Sequence, residues 1–279
     1  MSDSVDHHTF HAPGGVLAYR DTGGSGRPVV LLHAAFVDSS LFGPQLAHLR
    51  REHRVIAPDA RGHGASAVAT GPYRRADDVA ALLRYLGVES AVLVGVSMGA
   101  MTAVETALEY PDLVAGLVVG GRGIGEPEYR DSWSRELLAR QDAALAGGNL
   151  PAWLDGFVEW AVGPRRAPTE VDPAVLDHLR RAAARTLAKY AEPRPDPVVP
   201  VADVARRARR ISVPVLAVDG AADAPELTAT VDTLLRAVPY GRRVTIEDAG
   251  HFPNLEQPAI YNALVTEFLA ALDPARAAR

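Results

Sequence analysis

The 279 residues include no cysteine, and aromatic residues make up only 6% of the chain. Lack of cysteine rules out disulfides, thiolate metal sites and a cysteine nucleophile together, and it fits a reducing compartment. No apolar run approaches the roughly 18–20 residues that a membrane-spanning helix needs. Basic residues are in deficit, 29 Lys and Arg against 34 Asp and Glu, and a formal charge of −5 is the wrong sign for a surface built on phosphate contacts. The opening Met1-Ser2-Asp3-Ser4-Val5-Asp6 has neither the basic nor the apolar region of a secretory signal. Together these absences lead us to expect a cytoplasmic protein whose partner is a small molecule, not a nucleic acid or a membrane. They leave homo-oligomerisation open.

What is present is an ordinary globular balance, 48% hydrophobic and 23% charged, in a length that suits one large domain or one domain carrying an insertion. Short β-rich runs bounded by turn residues come first. Val16 to Arg20, between glycine-rich turns, reads as one arm of an opening hairpin. Val29 to Leu32, Arg54 to Ala57, Ala91 to Val94 and Leu113 to Val119 read as strands; the first is continuously apolar, as a strand covered on both faces should be. Helical spacing predicts Ala76 to Leu86 and Met98 to Tyr110 between them. Strand and helix in alternation imply an α/β fold with a mostly parallel, doubly wound sheet.

The alternation breaks after about Ile124. Ser132 to Ala146, Pro151 to Ala161 and Pro173 to Ala191 carry helical patterns, separated by glycine and proline breaks that include the proline-rich run Pro193 to Pro200. Strands resume at Val215 to Val218 and Arg243 to Ile246, and a helix over Ala259 to Leu272 follows. The expected organisation is a core of residues 1–123 and 204–279 with a helical cap inserted at 124–203. Such a cap would lie over the carboxyl edge of the sheet, where ligands bind in open α/β folds.

The sharpest chemical signal is Gly95-Val96-Ser97-Met98-Gly99, a G-x-S-x-G directly after a buried strand and directly before a helix. A turn that tight strains the nucleophile's backbone, and the flanking glycines remove side chains that would collide. It exposes the Ser97 hydroxyl at a helix start, where the Met98 amide can face a developing oxyanion. A serine needs a base, and of nine histidines only His251 stands on a post-strand loop well downstream of a plausible acid. Two carboxylates follow the preceding strand. Asp219 is still at the strand end, whereas Asp223 lies past the Gly220 turn, from which a loop can present it to His251.

Taken in order, Leu31-Leu32-His33, Asp59-Ala60-Arg61-Gly62-His63-Gly64-Ala65-Ser66, Gly95 to Gly99, and Gly250-His251-Phe252 with Glu256-Gln257-Pro258 resemble the α/β-hydrolase superfamily. The branch resembled holds cap-bearing serine esterases, lactonases, C–C bond hydrolases and cofactor-free haloperoxidases. That resemblance implies a catalytic triad of Ser97, Asp223 and His251, with the G-x-x-D usual after the seventh strand matched by Gly220 to Asp223. It implies an oxyanion hole formed by the amides of Ala35 and Met98, and neither metal nor organic cofactor. In two places the chain departs from the pattern. His33-Ala34-Ala35-Phe36 stands where the family usually has His-Gly, and the acid loop lacks a second acidic residue often found beside Asp223.

Other residues carry less. His7, His8 and His11 read as a frayed, solvated segment; His33 and His63 read as loop-shaping. The run Arg206, Arg207, Arg209, Arg210 reads as a solvated helix face. Trp133, Trp153 and Trp160 fall in the expected cap, where they either line an apolar pocket or hold the cap helices together. Phe36, Trp153, Trp160 and Phe252 are the expected pocket residues. The expected function is hydrolysis of a small to medium apolar ester, lactone or thioester through an acyl-enzyme on Ser97. The alternatives are a C–C bond hydrolase or perhydrolase using the same triad, and a non-hydrolytic cyclase or ligand receptor.

Overall fold

The computed structural model describes residues 7–190 and 197–272. One eight-stranded sheet runs through it: β1 (His7–Ala12), β2 (Gly15–Asp21), β3 (Pro28–Leu32), β4 (Arg54–Pro58), β5 (Ala91–Val96), β6 (Val114–Gly120), β7 (Val215–Gly220) and β8 (Gly241–Ile246). Their spatial order is β1-β2-β4-β3-β5-β6-β7-β8. Strands β3 to β8 are parallel to one another, while β2 runs antiparallel to both β1 and β4. The central strands read as unbroken apolar runs because both faces are covered. Every residue of β5 and of β7 is buried.

Helices α1 (Gly43–Leu49), α2 (Arg75–Tyr85) and α3 (Met98–Glu109) connect strands in the first half. Between β6 and β7 come α4 (Ser132–Ala146), α5 (Leu150–Val162), α6 (Pro173–Leu187) and the short α7 (Val204–Arg207). The second half closes with α8 (Pro225–Ala237), α9 (Pro253–Glu256) and α10 (Pro258–Ala271). One apolar cluster joins β3, β4, β5 and β7 to α1, α5, α6 and α10; a second joins the other sheet face to α2, α3 and α8. Side chains of α5 and α6, Trp153, Phe157 and Leu179 among them, are continuous with the first cluster.

Three expectations need correction. The segment holding His7, His8 and His11 is not frayed. It is β1, paired with β2 from His7↔Arg20 to Ala12↔Gly15. The reason lies in Phe10, buried against the rings of Tyr19 at 6.1 Å and Tyr85 at 5.4 Å, while the histidines face outward. Helix α8 was absent from the sequence reading, although Leu227, Val231 and Leu234 form its buried stripe. The basic run is only partly a solvated face: Arg206, Arg209 and Arg210 are exposed, but Arg207 pairs with Glu109 at 2.6 Å. Of the third helical stretch in the insertion, α6 stops at Leu187, and Ala191 and the start of the proline-rich run lie outside the described residues.

Candidate active site

Ser97 sits between β5 and α3 with φ 55° and ψ −114°. A non-glycine residue is strained there, and the surroundings hold it. Its amide donates to Gly120 O on the neighbouring strand at 2.7 Å. The two glycines of the motif have distinct steric causes. A Cβ on Gly95 would come within 2.3 Å of Gly99 O, and one on Gly99 within 1.8 Å of Leu32 O. Met98 is the first residue of α3, so its amide belongs to the helix N-terminal donors that have no partner within the helix.

His251 follows β8 on a loop fastened from below. Its own amide donates to Ala161 O near the end of α5 at 3.0 Å, and the Gly250 amide donates to Glu256 Oε1 at 2.8 Å. Arg166 completes the fastening, donating to Glu256 Oε2 at 2.7 Å and to Asp248 O at 2.9 Å. His251 Nδ1 lies 3.1 Å from Asp223 Oδ1 and 3.0 Å from Oδ2, in a buried pair. With Nδ1–H donating to the carboxylate, the ring's Nε2 is free to act as a base. Burial of the ring favours its neutral form, but the Asp223 charge and hydrogen bond outweigh that and leave its pKa raised. Asp219 is placed differently. Its Oδ1 accepts from the Gly121 amide at 3.0 Å and its Oδ2 lies 3.0 Å from Arg243 Nε. Burial, opposed by those contacts, raises Asp219 to about 6.

Ser97 and His251 border one cavity of about 320 Å³, within the range of small-molecule sites. Among the described residues no hydrogen bond joins the two side chains. Catalytic hydrogen bonds are often long without substrate and tighten when it binds. Ala35, Phe36, Trp153, Trp160 and Phe252 line the same cavity. Trp133 does not; it stacks on Trp160 at 5.5 Å.

The His33-Ala34-Ala35-Phe36 loop avoids the conformational problem that alanine in place of glycine poses. Its left-handed residue is Phe36, with φ 65°, and neither alanine is in that region. The strain is held by aromatic packing: the Phe36 ring lies edge-on to Trp153 at 4.8 Å and to Phe157 at 6.0 Å. On the loop after β4, Asp59 accepts from the Ser39 amide, in the continuation of the His33–Phe36 loop, and from the Ala65 amide, both at 2.8 Å. Behind it, Ala60 N–H donates to His33 Nε2 at 2.9 Å and His33 Nδ1 donates to Ala34 O at 2.8 Å. His63 donates from Nδ1 to Arg61 O at 2.8 Å; burial and then the nearby His33 push its pKa down to about 3, so it stays neutral. Both histidines hold loops, as their positions in the motifs suggested.

Sequence reasoning missed Arg122, which lines the Ser97 cavity from the loop after β6, with Tyr129 nearby. Its place at the carboxyl end of a parallel strand was the available signal. Arg166 was also missed.

Comparisons with known proteins agree with the fold. The chain is 30% identical over 264 residues to a 3-oxoadipate enol-lactonase of Acinetobacter baylyi, covering 92% of this chain and 94% of that one. It is 28% identical over 263 residues to a 2-(acetamidomethylene)succinate hydrolase of Mesorhizobium japonicum, covering 89% and 90%. Among solved structures it resembles the enol-lactonase from Burkholderia xenovorans LB400, with TM-score 0.76, 27% identity and coverage of 94% and 99%. It is equally similar to Est816, described as an N-acyl homoserine lactone degrading enzyme, with TM-score 0.76, 27% identity and coverage of 94% and 100%. A family model for the alpha/beta hydrolase family matches residues 29–264, and this chain belongs to that family.

Proposed function

We propose that the chain is a serine hydrolase that opens a small ester or lactone through an acyl-enzyme on Ser97. The observation that carries this reading is the buried contact between His251 Nδ1 and Asp223, on a loop whose histidine shares a cavity with the strained Ser97. Relatives named as lactonases at 30% and 27% identity support the lactone in particular.

In the proposed sequence, His251 Nε2 takes the Ser97 proton as the hydroxyl oxygen attacks the carbonyl carbon. The oxyanion is received by the amides of Ala35 and Met98. Collapse breaks the acyl carbon–oxygen bond, and the His251 proton goes to the departing oxygen. Water, deprotonated by the same imidazole, then attacks the acyl carbon and frees Ser97. Asp223 keeps Nδ1 protonated throughout and stabilises the imidazolium. Helices α4 to α6 act as a lid that excludes water, which strengthens the oxyanion contacts.

The test is a panel of acyl esters and lactones set against vinylogous diketones, the substrates of C–C bond hydrolases on this fold. Turnover of esters or lactones with no diketone cleavage is the expected result. Cleavage of the diketone alone would overturn the acyl-ester reading.

A further inference from the structure

Arg122 lines the cavity that holds Ser97 and His251, a cavity otherwise walled mainly by aromatic and aliphatic side chains. Its backbone leaves it little freedom. The Gly121 amide is held by Asp219, and the Gly123 amide donates to Thr230 Oγ1 at 2.9 Å. A Cβ on Gly123 would come within 2.2 Å of Thr230 O, and one on Gly121, at φ +68°, within 2.8 Å of His251 Cε1. Arg122 is therefore fixed on a rigid loop immediately beside the expected base.

Its charge is poorly compensated. Nε is buried and has no hydrogen-bond partner among the described residues. The ion pair it makes, with Glu126 at 2.9 Å, is to a side chain 90% exposed, whereas Arg122 itself is 18% exposed. Pairs to so exposed a carboxylate contribute little. Asp142, another charged residue lining the cavity, stands exposed on α4. Glu226 is engaged elsewhere, accepting from the Arg130 and Asp131 amides and from Ser134. A buried guanidinium donor left unmatched is costly, and a planar fork matches a carboxylate.

We propose that Arg122 anchors a carboxylate on the substrate, so that the ester or lactone this site takes is an anionic one. The inference rests on the hydrolase reading for its chemistry, but the anchor itself is a binding site and can be read without turnover.

Two esters with the same acyl chain test it: para-nitrophenyl hydrogen glutarate, which carries a free carboxylate, and its neutral methyl ester. Wild-type protein should favour the anionic ester in kcat/KM. Arg122→Gln should lower the anionic-to-neutral ratio by about 10- to 100-fold, the range for a lost charged hydrogen bond, with the change in KM. Arg122→Lys should keep most of the preference, and Glu126→Gln should increase it. In parallel, calorimetry should detect glutarate binding to the folded Ser97→Ala protein and lose it in the Ser97→Ala/Arg122→Gln double variant. Glutarate bound through Arg122 by a protein that hydrolyses neither ester would support the anchor and remove the hydrolase reading. Hydrolysis of both esters with a ratio unmoved by Arg122→Gln would overturn the anchor and leave the hydrolase reading standing.

Discussion

Two regions meet at the Ser97 cavity, and they are held by different forces. The loops at the carboxyl ends of the strands are fastened through the backbone. Ser97, Gly121, His251 and Gly250 each have their amide committed to a buried partner, and glycines stand where a Cβ would strike a carbonyl. Apart from Ala161 O, which accepts from the His251 amide, the helices inserted between β6 and β7 offer side chains instead. Trp153 stacks on Phe157 at 5.5 Å with the rings 9° from parallel, Trp133 stacks on Trp160, and the ion pairs along these helices are exposed. Such pairs contribute about 0–1 kcal/mol each, and aromatic contacts about 0.5–1.5. On the proposed mechanism the strand loops would fix the reacting atoms and the inserted helices would shape the space those atoms face. Substitution in the helices should then reshape the cavity with little effect on the chemistry, whereas substitution in the loops should not leave the chemistry intact.

Among substitutions that leave Ser97 in place, the largest effect should come from the acid. Asp223→Asn should reduce kcat/KM on the order of 10⁴-fold, by the logic of serine triads, and Asp219→Asn far less. The pH profile sharpens this. In the proposed mechanism His251 must be neutral to act as base, and Asp223 raises its pKa, so activity should rise with pH through a midpoint above that of an ordinary histidine. Removing the Asp223 charge should move that limb to lower pH as well as lower the plateau. A larger loss in Asp219→Asn would assign the role to the wrong carboxylate.

The join between the regions should be next in size. Arg166 and Glu256 are 10% and 6% exposed, and the pair ties the end of α5 to the His251 loop. Arg166→Met should cost about 3–5 kcal/mol in urea unfolding, because it leaves the Glu256 carboxylate buried and unpaired. A loss below 1 kcal/mol would mean that the two regions are not coupled through this pair.

Trp153→Ala addresses the helices alone. The ratio of kcat/KM for a long acyl ester to that for an acetate should change roughly 10-fold, the scale for filling an apolar pocket, with the acetate rate changing less. Equal loss on both substrates would make Trp153 a packing residue only.

The smallest effect concerns the second join. Asp38 accepts from the Ser40 amide and from Arg185 of α6 at 2.7 Å. Burial would raise its pKa, but those contacts bring it down to about 2. Its contribution to stability is therefore present above the unfolded carboxylate value of 3.8 and lost as pH falls through about 2. Arg185 is 54% exposed, so Arg185→Gln should cost less than about 1 kcal/mol at neutral pH, and the difference from wild type should shrink in acid.

How far the sequence announced all this depended on how local the cause was. The Ser97 turn is steric and spans five residues, so Gly95 and Gly99 declare it. The buried strands declare themselves as apolar runs. Pairing of β1 depends on Phe10 meeting Tyr85, 75 positions away, and three histidines concealed it. The left-handed Phe36 runs against its own propensity and is held by Trp153 and Phe157 from another element. Arg122 and Arg166 belong to no motif; only the assembled sheet and the inserted helices bring Arg122 to the Ser97 cavity and Arg166 to the His251 loop.

On the proposed mechanism His251 and Asp223 make Ser97 a nucleophile. Reaction with a fluorophosphonate, followed by peptide mass spectrometry, reads that directly. Wild-type protein should carry one adduct, on Ser97. Asp223→Asn should label far more slowly, and Ser97→Ala should not label and should lose activity by about 10⁴- to 10⁶-fold while keeping its far-ultraviolet circular dichroism. An adduct on another residue, or a Ser97→Ala protein retaining more than about a tenth of wild-type turnover when complete triads typically supply so much, would contradict the account.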